Sequence, residues 1–138
     1  MKILFMCVAN SARSQLAEGL AKKTFPHGDI QSAGSHPGKL NPLAVQVMNE
    51  IGVDISKNYS KSVDELPQNF LLNLDYVVTL CAEEVCPVLI SKAKKLHWPH
   101  PDPASKEPLP DEVLLVRFRE ARDAIQARLL EFKKEIQQ

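Results

Sequence analysis

The sequence predicts an α/β fold, a parallel sheet covered by helices on both faces. Three observations point there. Strand-like and helix-like segments alternate along the whole chain with short links, the pattern of successive strand–helix–strand units. Residues 2–6, Lys-Ile-Leu-Phe-Met, form an apolar run of the kind found in a strand buried on both faces. Residues 74–80, Leu-Asp-Tyr-Val-Val-Thr-Leu, are rich in β-branched and aromatic residues and give the strongest strand signal in the chain.

The elements follow in order. After the first strand, residues 14–25 show helical periodicity, with Leu16, Leu20 and Phe25 on one stripe and Lys22 and Lys23 in the last turn. Pro26 and Gly28 end that helix. Residues 29–33 fit a second, short strand, and residues 34–39 a loop. Asn41 is a good N-cap and Pro42 suits the first helical position. This helix is expected to run through Val45 and Met48 to Ile51, with Gly52 closing it. Residues 94–98 fit a last strand, and residues 99–110 form a proline-rich loop. Residues 111–137 read as one long amphipathic helix with Val113, Val116, Ala124, Leu129 and Phe132 buried.

A length of 138 residues is that of one ordinary domain, 1–138, large enough to bury a core. Hydrophobic residues at 44% and charged residues at 25% describe a globular chain and not a disordered one. The formal net charge is zero, so no global field points to nucleic acid or an anionic membrane, and any anion site must be local. The N-terminal apolar run falls far short of the roughly 20 apolar residues of a membrane span. It also lacks the length and cleavage site of a secretory signal, so a cytoplasmic protein is expected. Three cysteines are an odd count and not a disulfide framework, which favours reduced, functional thiols.

The segment with the clearest chemistry is Cys7, Val8, Ala9, Asn10, Ser11, Ala12, Arg13 and Ser14. It joins a buried strand to a helix N-terminus, where backbone N–H groups lack intrahelical partners and the helix dipole favours an anion. A loop there wraps its donors around a phosphate-like ion, and Arg13 adds a forked pair of hydrogen bonds. The same surroundings favour the thiolate of Cys7, a nucleophile. Asn10 is placed to pin the loop with its amide, and Ser14 to donate to the sulfur. Cys-x5-Arg alone arises by chance; between a buried strand and a helix it carries weight.

Residues 7–14 resemble the Cys-x5-Arg-Ser loop of the low-molecular-weight protein tyrosine phosphatases and of the arsenate reductases that share their fold. The resemblance extends over almost the whole chain. It includes Ser-Gln-Leu-Ala-Glu-Gly at 14–19, Ser-Ala-Gly at 32–34, Asn-Pro at 41–42, Val-Thr-Leu-Cys at 78–81, His-Trp at 97–98 and Asp-Pro at 102–103. It implies a four-stranded parallel sheet flanked by helices.

Within that family, Cys81 and Cys86 separate two chemistries. A phosphatase needs one cysteine; reducing arsenate to arsenite takes two electrons and a second sulfur. Cys81 ends the strongest strand, on the sheet edge where Cys7 lies. Five helical residues would hold Cys81 and Cys86 about 7.5 Å apart along the axis. A disulfide needs Cα atoms within about 6.8 Å. Pro87 disfavours helix at Cys86 and so helps the segment unwind. Each cysteine alone reads equally well as a small buried hydrophobe. A zinc site is disfavoured by the Cys-x4-Cys spacing and the scattered histidines His36, His97 and His100. The three sulfurs together resemble the relay of thioredoxin-coupled arsenate reductases. That resemblance implies arsenate as substrate, phosphate or sulfate as competing anions, and thioredoxin or a glutaredoxin-type protein as reductant. No cofactor, metal, nucleic acid or membrane partner is implied.

Asp102 sits in Pro-Asp-Pro, which is turn chemistry in any protein; the resemblance makes it the general acid. The family's potassium-binding members use residues that match Asn10, Glu18 and Ser32, but a fourth position, an aspartate there, is Lys61 here. A lysine ammonium in the cation's place makes a potassium ion doubtful. Otherwise Glu18 and Lys61 are expected as surface charges, as is the pair Arg117 and Glu120. Trp98 reads as core. The alternatives to a reductase are a phosphotyrosine phosphatase, for which the few aromatic residues speak poorly, and a non-catalytic oxyanion-binding or redox-sensor protein.

Overall fold

Apolar side chains alternate along the first strand: Ile3 and Phe5 pack on one face, Leu4 and Met6 on the other, none more than 2% exposed. A strand with no solvent side belongs in a sheet interior. The computed structural model, which describes residues 1–82 and 89–137, has it there. Strands β1 (Lys2–Cys7), β2 (Asp29–Gly34), β3 (Tyr76–Thr79) and β4 (Lys94–His97) form one sheet in the order β2-β1-β3-β4. Every pairing is parallel, as the sequence predicts.

Helices α1 (Arg13–Thr24), α2 (Pro42–Asn49) and α4 (Asp111–Ile136) cover the face of Ile3, Phe5, Val78 and Leu80. The other face, with Leu4, Met6 and Val77, is covered more thinly by a 3₁₀ turn (Val63–Glu65) and the short α3 (Gln68–Leu72), through Leu66, Phe70 and Leu74. Helix α3 has no counterpart in the sequence reading; five residues are too few to show a period. Trp98 is core, its ring tilted against Phe5 and edge-on to Phe132. No helix among the described residues is long and apolar enough to cross a membrane.

Two element boundaries are informative. In α2, Asn41 Oδ1 accepts from the Leu43 N–H, and Pro42 follows at the first position. Regular helix stops at Asn49, short of Ile51. The exit is a Schellman turn: Gly52 N–H bonds to Asn49 and Val53 N–H to Met48, with Gly52 at φ +77°. In α4 the expected register is wrong at three positions: Val113, Val116 and Ala124 are exposed. The buried stripe is Phe118, Ala121, Ile125, Leu129 and Phe132, spaced by three or four residues. At 100° per residue, Val116 lies about 180° and Ala124 about 100° away from the centre of the stripe.

Helix α4 is also held by charge. Glu50, just beyond α2, takes three hydrogen bonds from Arg119 and one from Arg122, whose Nη1 also donates to the Val47 carbonyl. The Arg119 hydrogen bonds, aided by Arg122, lower the Glu50 carboxyl from 4.5 to about 2. A carboxyl depressed in the fold stabilises it above its unfolded value. That contribution is lost as pH falls from about 4.5 toward 2. Glu50→Gln is therefore expected to lower the thermal midpoint at pH 7 and to flatten the fall in stability across that acid window, both read by thermal melts at successive pH values.

Candidate active site

The strand order reverses between β1 and β3: the chain leaves β1 toward β2 on one side, while β3 lies on the other. Loops beyond the two carboxyl ends part there and leave a crevice, the usual ligand position in an open α/β sheet. Residues 8–12 run from β1 into α1 on one side of this crevice, and β3 ends at Thr79 on the other.

The loop's carbonyls are turned away from the crevice by the next stretch of chain. Val8, Ala9 and Ser11 accept from the N–H groups of His36, Gly38 and Asn41, each at 2.9 Å. The N–H groups of residues 8–12 have no acceptor among the described residues. Donors without protein partners at a helix start are the means of holding an oxyanion. Cys7, Ala12 and Arg13 are at most 5% exposed. Gly34 makes the packing possible: a Cβ there would run into the Val8 carbonyl oxygen and lie 2.9 Å from the Asn10 nitrogen.

Asn10 is the hub. It alone among the described non-glycine residues has a positive φ, +51°, a conformation asparagine tolerates. Its Nδ2 donates to Ser14 Oγ at 2.7 Å, and its Oδ1 accepts from Gln15 Nε2 and the Lys61 N–H. Its carbonyl accepts from Gln15 Nε2 and Ser60 Oγ. Ser14 Oγ lies 2.8 Å from Cys7 Sγ. With Asn10 donating to that oxygen, the hydroxyl proton is available to the sulfur, as a thiolate requires.

Beneath the loop, Glu18 is buried and not a surface charge. Its Oε1 accepts from Ser32 Oγ and lies 3.8 Å from Lys61 Nζ; its Oε2 accepts from Lys22 Nζ and Asn58 Nδ2. Lys61 is buried too. Of the residues expected to surround a potassium ion, Glu18 thus has the Lys61 ammonium beside it, while Asn10 is engaged by Gln15 and the Lys61 N–H and Ser32 by Glu18.

Asp102 faces the loop from the proline-rich segment. Its Oδ2 is 4.0 Å from Arg13 Nη2, while Arg13 Nη1 donates to the His100 carbonyl. Asp102 and Lys106 join residues 7–9 and 11–13 around a cavity of about 260 Å³, and none of these lining residues is aromatic. Arg117 is not a solvated partner of Glu120: its Nη2 donates to the carbonyls of Asp102 and Ala104. On the facing wall, Thr79 pairs with Met6 and Leu80 N–H donates to the Met6 carbonyl, so Cys81 follows at the same edge as Cys7. Cys81 is buried and disulfide-bonded; Cys7 is a free thiol. Cys86 lies outside the described residues.

A family model described as low molecular weight phosphotyrosine protein phosphatase matches residues 2–138. The chain belongs to this family. It is similar to an arsenate reductase of Halalkalibacterium halodurans, 44% identical over 133 residues, which are 94% of this chain and 93% of that protein. Its fold is similar to that of an arsenate reductase solved in the phosphate binding state, with a TM-score of 0.76, 28% identity and 99% of both chains covered. It is also similar to the Corynebacterium glutamicum thioredoxin-dependent arsenate reductase, with a TM-score of 0.71 and 29% identity. There the match covers 99% of this chain and 61% of that longer one.

In this member of the phosphatase family, sequence reading missed Gln15, Asn58 and Ser60 as supports of the loop. Gln15 is fully buried, but a glutamine beside Leu16 gives no period to read. Lys106 was also missed, since an exposed lysine in a loop is the commonest of features. Gly34 stood inside a matched motif without a role. Gly34→Ala is expected to displace the loop backbone and weaken inorganic phosphate binding by about tenfold or more, roughly 1.4 kcal/mol. Isothermal titration of the reduced protein measures it.

Proposed function

We propose that the protein is an arsenate reductase that uses Cys7 as nucleophile, Cys81 and Cys86 as relay thiols, and thioredoxin as reductant. The observation that carries this reading is the second sulfur: Cys81 stands at the same carboxyl edge of the sheet as Cys7 and is in disulfide form while Cys7 is free. The similarity to arsenate reductases over nearly the whole chain supports the substrate. The likeness to a thioredoxin-dependent arsenate reductase supports the reductant. The reading assigns the protein to the cytoplasm, where thiols are kept reduced.

The chemistry follows from the site. Arsenate enters the loop of residues 8–14, held by backbone N–H groups and Arg13. The Cys7 thiolate forms an S–As bond, and one arsenate oxygen leaves as water with a proton from Asp102. Cys81 attacks Cys7 Sγ; the S–S bond forms, the S–As bond breaks, and its electron pair stays on arsenic. Arsenic(V) thereby becomes arsenite and two thiols become a disulfide, which balances two electrons. Cys86 then attacks Cys81 Sγ, releasing the Cys7 thiolate and leaving Cys81–Cys86, which thioredoxin reduces by exchange.

Phosphate ester hydrolysis is the second reading, favoured by the family description and by the shared Cys7, Arg13 and Asp102. The cavity lining offers no aromatic platform for a phenol ring, so this activity is assigned as residual. Arsenate-dependent NADPH oxidation with thioredoxin and its reductase separates the readings. Loss of reduction in Cys81→Ser with phosphatase activity retained supports the reductase; both activities surviving supports the phosphatase; neither activity in wild type supports an anion sensor. Cys86→Ser is expected to give one turnover and stall as Cys7–Cys81, seen by mass spectrometry. Asp102→Asn is expected to slow the chemical step by about 100- to 10,000-fold.

A further inference from the structure

The segment that carries Asp102 has little means of holding itself. Pro99, Pro101, Pro103, Pro108 and Pro110 supply no N–H donors. Inside it, the Asp102 turn closes with Ala104 N–H donating to Oδ1 at 3.0 Å. A cavity of about 280 Å³ is lined by His100, Asp102, Ala121 and Ala124, and apolar support for the turn comes from the buried Pro103 and from Ala104, which packs against the core. The His100 N–H anchors the start of the segment on the Leu80 carbonyl, and among the described residues Arg117 reaches the turn from α4 by hydrogen bonds. Arg117 Nη2 donates to the Asp102 and Ala104 carbonyls, both at 3.0 Å. On the other side, Arg13 Nη1 donates to the His100 carbonyl at 3.0 Å.

The turn is thus clamped between two guanidinium groups with different tasks. Arg13 lines the anion cavity. Arg117 makes no hydrogen bond to residues 8–14 among the described residues; it grips the peptide carbonyls of Asp102 and Ala104, the residues flanking Pro103. With Oδ1 fixed in the turn, the orientation of Asp102 Oδ2 toward the cavity depends on where those peptide groups sit. Guanidinium bonds to carbonyls are charge-assisted and directional. Small displacements of a reacting group cost large factors in rate.

We propose that Arg117 is a positioning residue for Asp102, a strut from α4 that holds the acid's turn over the anion site. The proposal rests on the reading of Asp102 as general acid. The test is the single-turnover rate of arsenite formation by the reduced protein, which isolates chemistry from thioredoxin. Arg117→Met keeps the aliphatic stem and removes the donors. It is expected to lower the rate roughly tenfold while leaving inorganic phosphate affinity and the thermal midpoint nearly unchanged. Arg117→Lys is expected to recover part of the loss, and it carries the test if Arg117→Met does not fold. In an Asp102→Asn background the Arg117 substitution is expected to cost nothing further. An equal loss in both backgrounds overturns the strut, since a structural defect multiplies with any other. A slow Asp102→Asn protein beside an unimpaired Arg117→Met protein overturns the strut alone. An unimpaired Asp102→Asn protein overturns the acid, and the strut with it.

Discussion

The site depends on the three hydrogen bonds that turn the carbonyls of Val8, Ala9 and Ser11 toward residues 36–41. A peptide group cannot offer its oxygen and its N–H to the same side. Once the oxygens are occupied behind the loop, the N–H groups face the crevice, and an oxyanion is the partner that satisfies several of them together. The other constraints follow. The loop must pass close over β2, so residue 34 has no room for a Cβ. It must also reverse within five residues, so Asn10 takes a left-handed conformation and uses its amide to pin both limbs.

The support beneath the loop is charged, and that has a cost. Glu18 and Lys61 are both buried, and isolated buried charges are expensive. The carboxylate is compensated by Ser32, Asn58, Lys22 and Lys61, so it lies among donors on several sides. Removing one member leaves the others partly unpaired, which is where buried networks lose most stability.

Much of this was legible in the residues. The parallel sheet followed from apolar runs and alternation, and the anion loop from its place between β1 and α1. Helix α3 and the register of α4 were not legible, for different reasons. Helix α3 is too short to have a period. In α4, valines near the start satisfy a hydrophobic pattern by composition, yet the buried face is set by α1, α2 and Trp98, which a local window does not contain. The lysine expected in a cation's place beside Glu18 is there, buried with it at 3.8 Å; the surface-charge alternative fails because Glu18's partners Ser32 and Asn58 come from distant segments. Arg117 was misread as part of a solvated helix face because its acceptors are main-chain carbonyls, which carry no residue identity.

The topology explains how one loop serves two reaction classes. The wall of the crevice formed by β1 and α1 fixes the anion and the nucleophile, and these are shared by phosphoryl and arsenyl chemistry. The other wall begins where β3 ends, and what stands there decides the fate of the covalent adduct. If only water reaches the adduct, the bond to sulfur is hydrolysed and the oxidation state is unchanged. If a thiol stands at the end of the neighbouring strand, it attacks sulfur instead, and the electron pair of the broken bond stays on the central atom. Phosphorus does not accept that pair under biological conditions and arsenic does. Under the proposed function, the thiol of Cys81, one strand away from the loop that defines the family, is what would make the same fold a reductase.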